Sequence, residues 1–200
     1  MSHMLMSRKS HRPAPQFSVK GDLSFALPRV HELCGRSRRT LAIMVAARAQ
    51  GPVFWIAPSW AADPLNPDGM RDYVAPQKFT FFTPRRPEDL LWCMEEILRS
   101  GTVPVVVADL PGMPGLTPVR RLHLAAETGA NEGKCRPLGL LLTPGDGGAQ
   151  GVESRWRLNP AHRTGETRWE LDRLRARTAP QRQWMLQYSR QAGVELSDTN

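Results

Sequence analysis

Three short apolar runs set the terms on which this chain can fold: "PVFWIAP" (52–58), "VPVVVADLPG" (103–112) and "PLGLLLTP" (137–144). None alternates apolar with polar residues, so each reads as a strand buried on both faces. Such strands need helices above and below them, and that requirement selects a parallel sheet. The intervening sequence supplies the helices. "RPEDLLWCMEEILRSG" (86–101) puts Leu90, Leu91, Met94, Ile97 and Leu98 on one face, starts with acidic residues and closes on Arg99 and Gly101. "RRTLAIMVAARAQ" (38–50) sets Leu41, Met44, Val45 and Arg48 at helical spacing and stops at Gly51, and "TPVRRLHLAAETGANEG" (117–133) reads as helix as far as Thr128. With "LPRVHELCG" (27–35) and "KFTFFTP" (78–84) as further strands, and a short helix near Met70 to Tyr73, the order is β, α, β, β, α, β, α, β.

The pattern changes after "GDGGAQG" (145–151). "SRWRLNP" (154–160) and "TRWELDRLRARTAPQRQWMLQY" (167–188) alternate tryptophan or leucine with arginine, the period of antiparallel strands with one wet face. The fold class is therefore α/β: a mainly parallel sheet flanked by helices, with a C-terminal antiparallel hairpin. Residues 1–19, basic and proline-containing, read as a flexible tail, 20–190 as one domain, and 191–200 as a polar C-terminal tail.

The chain carries 27 lysines and arginines against 19 aspartates and glutamates, a net charge of +8, and only Lys9, Lys20, Lys78 and Lys134 are lysine. That excess suits an anionic partner. Cys34, Cys93 and Cys135 are far apart, with no CxxC pair and no histidine cluster, which argues against a zinc site or a disulfide framework and for a reducing, cytoplasmic setting. No apolar run approaches the roughly 18 residues of a membrane span, and the N-terminus lacks the apolar stretch of a secretory signal.

"HELCGRSRRTLAI" (31–43) has the layout of a nucleotide-binding turn: a strand end, a glycine, a polar loop, a threonine, a helix. Taken with "PVFWIAPSWAADP", "FTPRRPEDLLWCMEEILRSGTVPVVVADL" and "ETRWELDRLRARTAPQRQW", in that order and over residues 20 to about 190, the chain resembles the RecA-like recombinase core and, within it, the ImuA family of damage-induced mutagenesis proteins. The last stretch is similar to the hairpin that closes the sheet in that family. A working P-loop needs G-x-x-x-x-G-K-[ST], so that backbone amides wrap the phosphates, lysine reaches the outer ones and the hydroxyl holds Mg²⁺. Here Gly35 to Thr40 is two residues short of that motif; anchored on Thr40, Arg38 takes the second glycine's place and Arg39 the lysine's. Arginine adds charge without the geometry. The strand "PVFWI" runs into Ala57, Pro58 and Ser59, where the resemblance implies a catalytic carboxylate. Asp109 stands where it implies a Mg²⁺-associated aspartate; a loop hydrogen-bond acceptor is the other reading.

Gly35, Arg38, Arg39, Thr40 and Asp109 are thus a vestigial nucleotide site with neither ATP nor Mg²⁺ expected, no metal and no catalytic residue. Arg155, Arg157, Arg168, Arg173, Arg175, Arg177 and Arg182 accompany Trp156, Trp169 and Trp184, an interleaving that can bind single-stranded nucleic acid or a protein partner; the tryptophans alone read as core. His31 and Cys34 make no catalytic pair, since only Glu32 and Cys34 share a strand face. The resemblance implies a non-catalytic adaptor in SOS-type translesion synthesis and DNA repair, with an ImuB-like polymerase-related protein and RecA as partners and single-stranded DNA as a further one. The alternatives are a weak RecA-type ATPase, a SulA-like cell-division inhibitor and a direct DNA binder.

Overall fold

The computed structural model describes residues 15–199, beginning with a small hairpin of β1 (Gln16–Lys20) and β2 (Leu23–Ala26). Part of the segment expected as a tail is therefore strand. Phe17 pairs with Phe25 across the hairpin, and Val19, Leu23 and Phe25 are buried, so the hairpin has an apolar face to place against something. After it come β3 (Val30–Cys34), α1 (Arg38–Ala47), β4 (Val53–Ile56), a short α2 (Pro67–Met70), a 3-10 turn (Pro76–Lys78), β5 (Phe79–Phe82), α3 (Pro87–Ser100), β6 (Val105–Asp109), α4 (Leu116–Glu132) and β7 (Leu138–Leu142). The chain closes with β8 (Ser154–Pro160), β9 (Arg168–Ala176), β10 (Arg182–Ser189) and β11 (Gly193–Asp198), the last lying in the segment expected as a polar tail.

β3 to β11 form one nine-stranded sheet in the order β11-β10-β9-β8-β3-β7-β6-β4-β5. From β5 to β8 every neighbouring pair is parallel; from β8 to β11 every pair is antiparallel. The mixed α/β architecture with a mostly parallel sheet, flanking helices and antiparallel C-terminal strands is the one the hydrophobic pattern requires. The central strands begin just after a proline, at Val53, Val105 and Leu138, because Pro52, Pro104 and Pro137 have no N–H to give to a ladder.

Two cores lie on opposite faces of the sheet. One gathers α1, the β1–β2 hairpin and the tryptophans Trp55, Trp156, Trp169 and Trp184; the other gathers α3 and α4 over Val30, Val106, Ala108 and Leu141. Burying a side chain the size of Leu41 or Leu98, each fully enclosed, stabilises by about 1.5–3 kcal/mol. Helix α4 runs past Thr128 to Glu132, where the sequence expected it to stop at glycine. Gly129 is used for contact instead: a Cβ there would stand 2.0 Å from the Leu98 carbonyl oxygen, so α3 and α4 meet backbone to backbone. Gly101, at φ +56, ends α3 in the left-handed region at the same crossing. No helix among the described residues is long and apolar enough to cross a membrane.

Candidate functional site

The carboxyl ends of parallel strands are where α/β sheets place ligands, and the loop after β3 lies at such an end. Four of its amides, from Gly35 to Arg38, are engaged. Gly35 N–H donates to the Gly145 carbonyl at 2.8 Å, Arg36 N–H to Asn159 Oδ1 at 3.0 Å, Ser37 N–H to the Leu158 carbonyl at 2.9 Å and Arg38 N–H to the Gly35 carbonyl at 3.3 Å. The first three acceptors come from the turn after β7 and the end of β8, and the fourth is the loop's own Gly35 carbonyl. Gly35 holds φ +86, and a Cβ there would lie 2.5 Å from the Leu158 oxygen, so the glycine serves close packing against β8. A phosphate nest needs several amides turned outward together, and these four turn inward. Thr40 sits partly buried in the first turn of α1.

The side chains that follow close on one another. Arg39 Nε lies 2.5 Å from Asp109 Oδ2, and its NH1 reaches the Asp63 carbonyl at 2.7 Å and the Asp63 carboxylate at 3.1 Å. Asp109 is buried at the end of β6, and Arg39 is its counter-ion, in the place where the sequence expectation put a magnesium contact. Asp63, which no motif marked, reaches the site from the long loop after β4. Arg38 lies against the same carboxylate at 4.0 Å through Nε, and that nitrogen is buried without a hydrogen-bond partner. Arg36, Arg38, Arg39, Trp60, Asp63 and Asp109 line a cleft of about 430 Å³ at the ends of β3, β4 and β6. Among the described residues no group of three or more His, Cys, Asp or Glu could hold a metal ion.

Glu32, central in β3 and fully buried, is a residue that sequence reasoning passed over. Its Oε1 accepts from Thr143 Oγ1 at 2.6 Å, Gly148 N at 2.8 Å and Ala149 N at 3.0 Å, while Oε2 pairs with Arg155. The carboxylate thereby ties β3 to the end of β7, to the turn 145–149 and to β8. That turn provides the acceptor for Gly35, so Glu32 shapes the loop after its own strand at one remove. Cys34 shares its face, and burial, followed by the Glu32 charge, pushes the thiol up to about 12, which leaves it protonated and inert.

His31 points to the opposite side. Its Nε2 lies 3.0 Å from the Ala26 carbonyl and its Nδ1 2.6 Å from Ser154 Oγ, which also accepts from Trp156 Nε1 at 2.9 Å. The consistent proton assignment is a relay: Trp156 N–H to Ser154, Ser154 O–H to Nδ1, Nε2–H to Ala26. Burial, only partly offset by the bond to Ala26, lowers the His31 pKa to about 4.

The arginines of the C-terminal strands are mostly committed to neighbours within the chain. Arg155 pairs with Glu32; Arg157 Nε lies 2.9 Å from Asp172 and its NH1 3.1 Å from Asp146; Arg182 reaches Asp22 at 2.7 Å and Asp198 at 2.6 Å. Arg168 donates to the Ala161 carbonyl at 2.9 Å and lies 3.3 Å from Glu166, and Arg177 stands 3.7 Å from Glu153. Arg173 is buried, with its guanidinium 5.5 Å from the Trp156 ring and 5.1 Å from the Trp184 ring. Arg175 is exposed and has no ion pair among the described residues. Trp156, Trp169 and Trp184 are core side chains, each no more than 3% exposed. Bases have no tryptophan platform on this part of the sheet.

Protein-family models give no match to this chain, and no curated protein matches it either. Among solved structures, SulA from Pseudomonas aeruginosa is similar with a TM-score of 0.46 and 20% identity, over 58% of this chain and 98% of that one.

Proposed function

We propose that this chain is a non-catalytic binding protein of the RecA-like type, an ImuA-like adaptor for error-prone DNA synthesis after damage, which works by docking to protein partners. The family part of the reading rests on the ordered motifs from "HELCGRSRRT" to "ETRWELDRLRARTAPQRQW". The observation that carries the non-catalytic part is the loop after β3. Its four leading amides bond inward, and the arginine in the lysine position neutralises the aspartate that would face magnesium. An ATPase reading would require Arg39 to release Asp109 and β8 to withdraw from Gly35, two changes that leave buried groups without partners. Calorimetry with Mg-ATP and phosphate release on the same sample test this directly. The expected outcome is no saturable heat and no turnover; saturable turnover lost in Asp109→Ala overturns the adaptor reading. Co-elution with a purified ImuB-like protein or with RecA tests the partner side, and failure with both counts against the ImuA assignment.

A further inference from the structure

The cleft at the ends of β3, β4 and β6 is not filled by its own ion pairs, and we infer that it is a docking site for an acidic segment of a partner protein, one whose aspartate or glutamate stands next to an apolar side chain. This rests on the binding reading above and names the surface used. Three arginines and two carboxylates line the cleft, which leaves one positive charge in surplus. Arg39 is held by Asp109 and Asp63 through Nε and NH1. The surplus therefore resides on Arg36, which has no ion pair among the described residues, and Arg38, which stands 4.0 Å from Asp109 without a hydrogen bond to it and whose NH1 has only a 3.5 Å contact to the Gly35 carbonyl. A guanidinium held this loosely can take an incoming carboxylate on its terminal nitrogens.

Charge selects among anions. A single carboxylate matches a surplus of one, whereas a triphosphate or a run of phosphodiesters would meet Asp63 at the rim, with its side chain 89% exposed, and Asp109 beneath. The remaining wall is apolar. Trp60 is 46% exposed beside Pro58, Leu110 and Pro111, a shelf of the aromatic kind that anchors protein interfaces when paired with arginine. The cleft's 430 Å³ falls within the roughly 300–1,000 Å³ of small binding sites, enough for the side chains of a short segment.

A random-peptide library displayed on phage, selected against the full chain, tests this, with the enriched peptides then labelled and titrated by fluorescence anisotropy. The expected result is enrichment of Asp or Glu beside Leu, Ile, Phe or Trp, with binding weakened about tenfold or more in Arg38→Gln, as loss of one charge-assisted hydrogen bond implies, and by a similar factor in Trp60→Ala, as loss of an aromatic anchor implies, and unchanged in Arg120→Ala on the exposed face of α4. Circular dichroism melts confirm that each variant is folded. Enriched peptides without acids, or peptides indifferent to both cleft substitutions, overturn the inference. So does oligothymidine binding that Arg38→Gln and Trp60→Ala abolish, which would make the cleft a nucleic-acid site. Saturable Mg-ATP binding would bring down the adaptor reading itself, whereas peptides that miss the cleft in a protein indifferent to ATP bring down only the docking site.

Discussion

Acidification should destabilise this protein through His31. In the folded state the imidazole is held neutral with a pKa near 4, against 6.5 when unfolded. Between those values the unfolded chain binds a proton that the folded chain does not, so stability is complete above pH 6.5 and falls as the pH drops toward 4. Linkage over the interval from pH 7 to pH 4.5 gives a loss of about 2 kcal/mol from this residue alone. The structural reason is the relay, since a proton on Nδ1 would face the Ser154 hydroxyl that now donates to it. At about 2 kcal/mol per molar urea, the unfolding midpoint moves by about 1 M. Urea titrations at both pH values, followed by the fluorescence of the buried tryptophans, measure this in the wild-type chain and in His31→Gln. The variant is less stable at pH 7 but loses about 2 kcal/mol less on acidification. His123, also lowered by burial, contributes to both proteins alike and drops out of the comparison. Parallel losses in the two proteins, within about 0.5 kcal/mol, refute a neutral buried His31 as the acid-sensitive group.

Three further outcomes follow from particular contacts. Asp109→Asn leaves Arg38 and Arg39 without their buried counter-charge and should cost about 2–4 kcal/mol in urea unfolding, a loss that an exposed surface pair would not produce. Glu32→Gln strands Arg155 and loosens the turn 145–149, with an expected cost of about 3–5 kcal/mol and faster amide exchange at Gly148 and Ala149. Gly129→Ala places a methyl against the Leu98 carbonyl and should lower stability by about 1–3 kcal/mol although alanine is the better helix former; an unchanged melting temperature would mean that α3 and α4 do not cross as closely as described.

The parallel half of the fold was legible because "PVFWIAP", "VPVVVADLPG" and "PLGLLLTP" can satisfy neither face in water, and a chain of such runs has few other solutions. The β1–β2 hairpin was passed over although Phe17, Val19, Leu23 and Phe25 alternate; a strand pair this short gives a weak signal when basic and proline-rich residues precede it. β11 went unread for a different reason: an edge strand with a mostly polar outer row looks like a tail. Within the site, the shortened loop could be read from spacing, but its closure could not. Asn159, the Leu158 carbonyl and Gly145 arrive from more than 100 residues away, and backbone acceptors leave no trace in residue type. Asp63 was equally silent, since its approach to Arg39 depends on the path of an irregular loop.

The change of strand direction at β8 divides the sheet into parts with opposite assembly requirements. Each parallel pair from β5 to β8 joins residues separated by a crossover, so those ladders close only after long loops of chain have been organised. The meander from β8 to β11 is built from successive neighbours and can zip locally, yet its ladder attachment to the rest of the sheet is the short register Glu32↔Arg155 to Cys34↔Arg157. On refolding of the full-length chain the C-terminal strands are expected to pair first, with the slower α/β half, onto which they are finally sewn, setting the rate at which the native sheet appears.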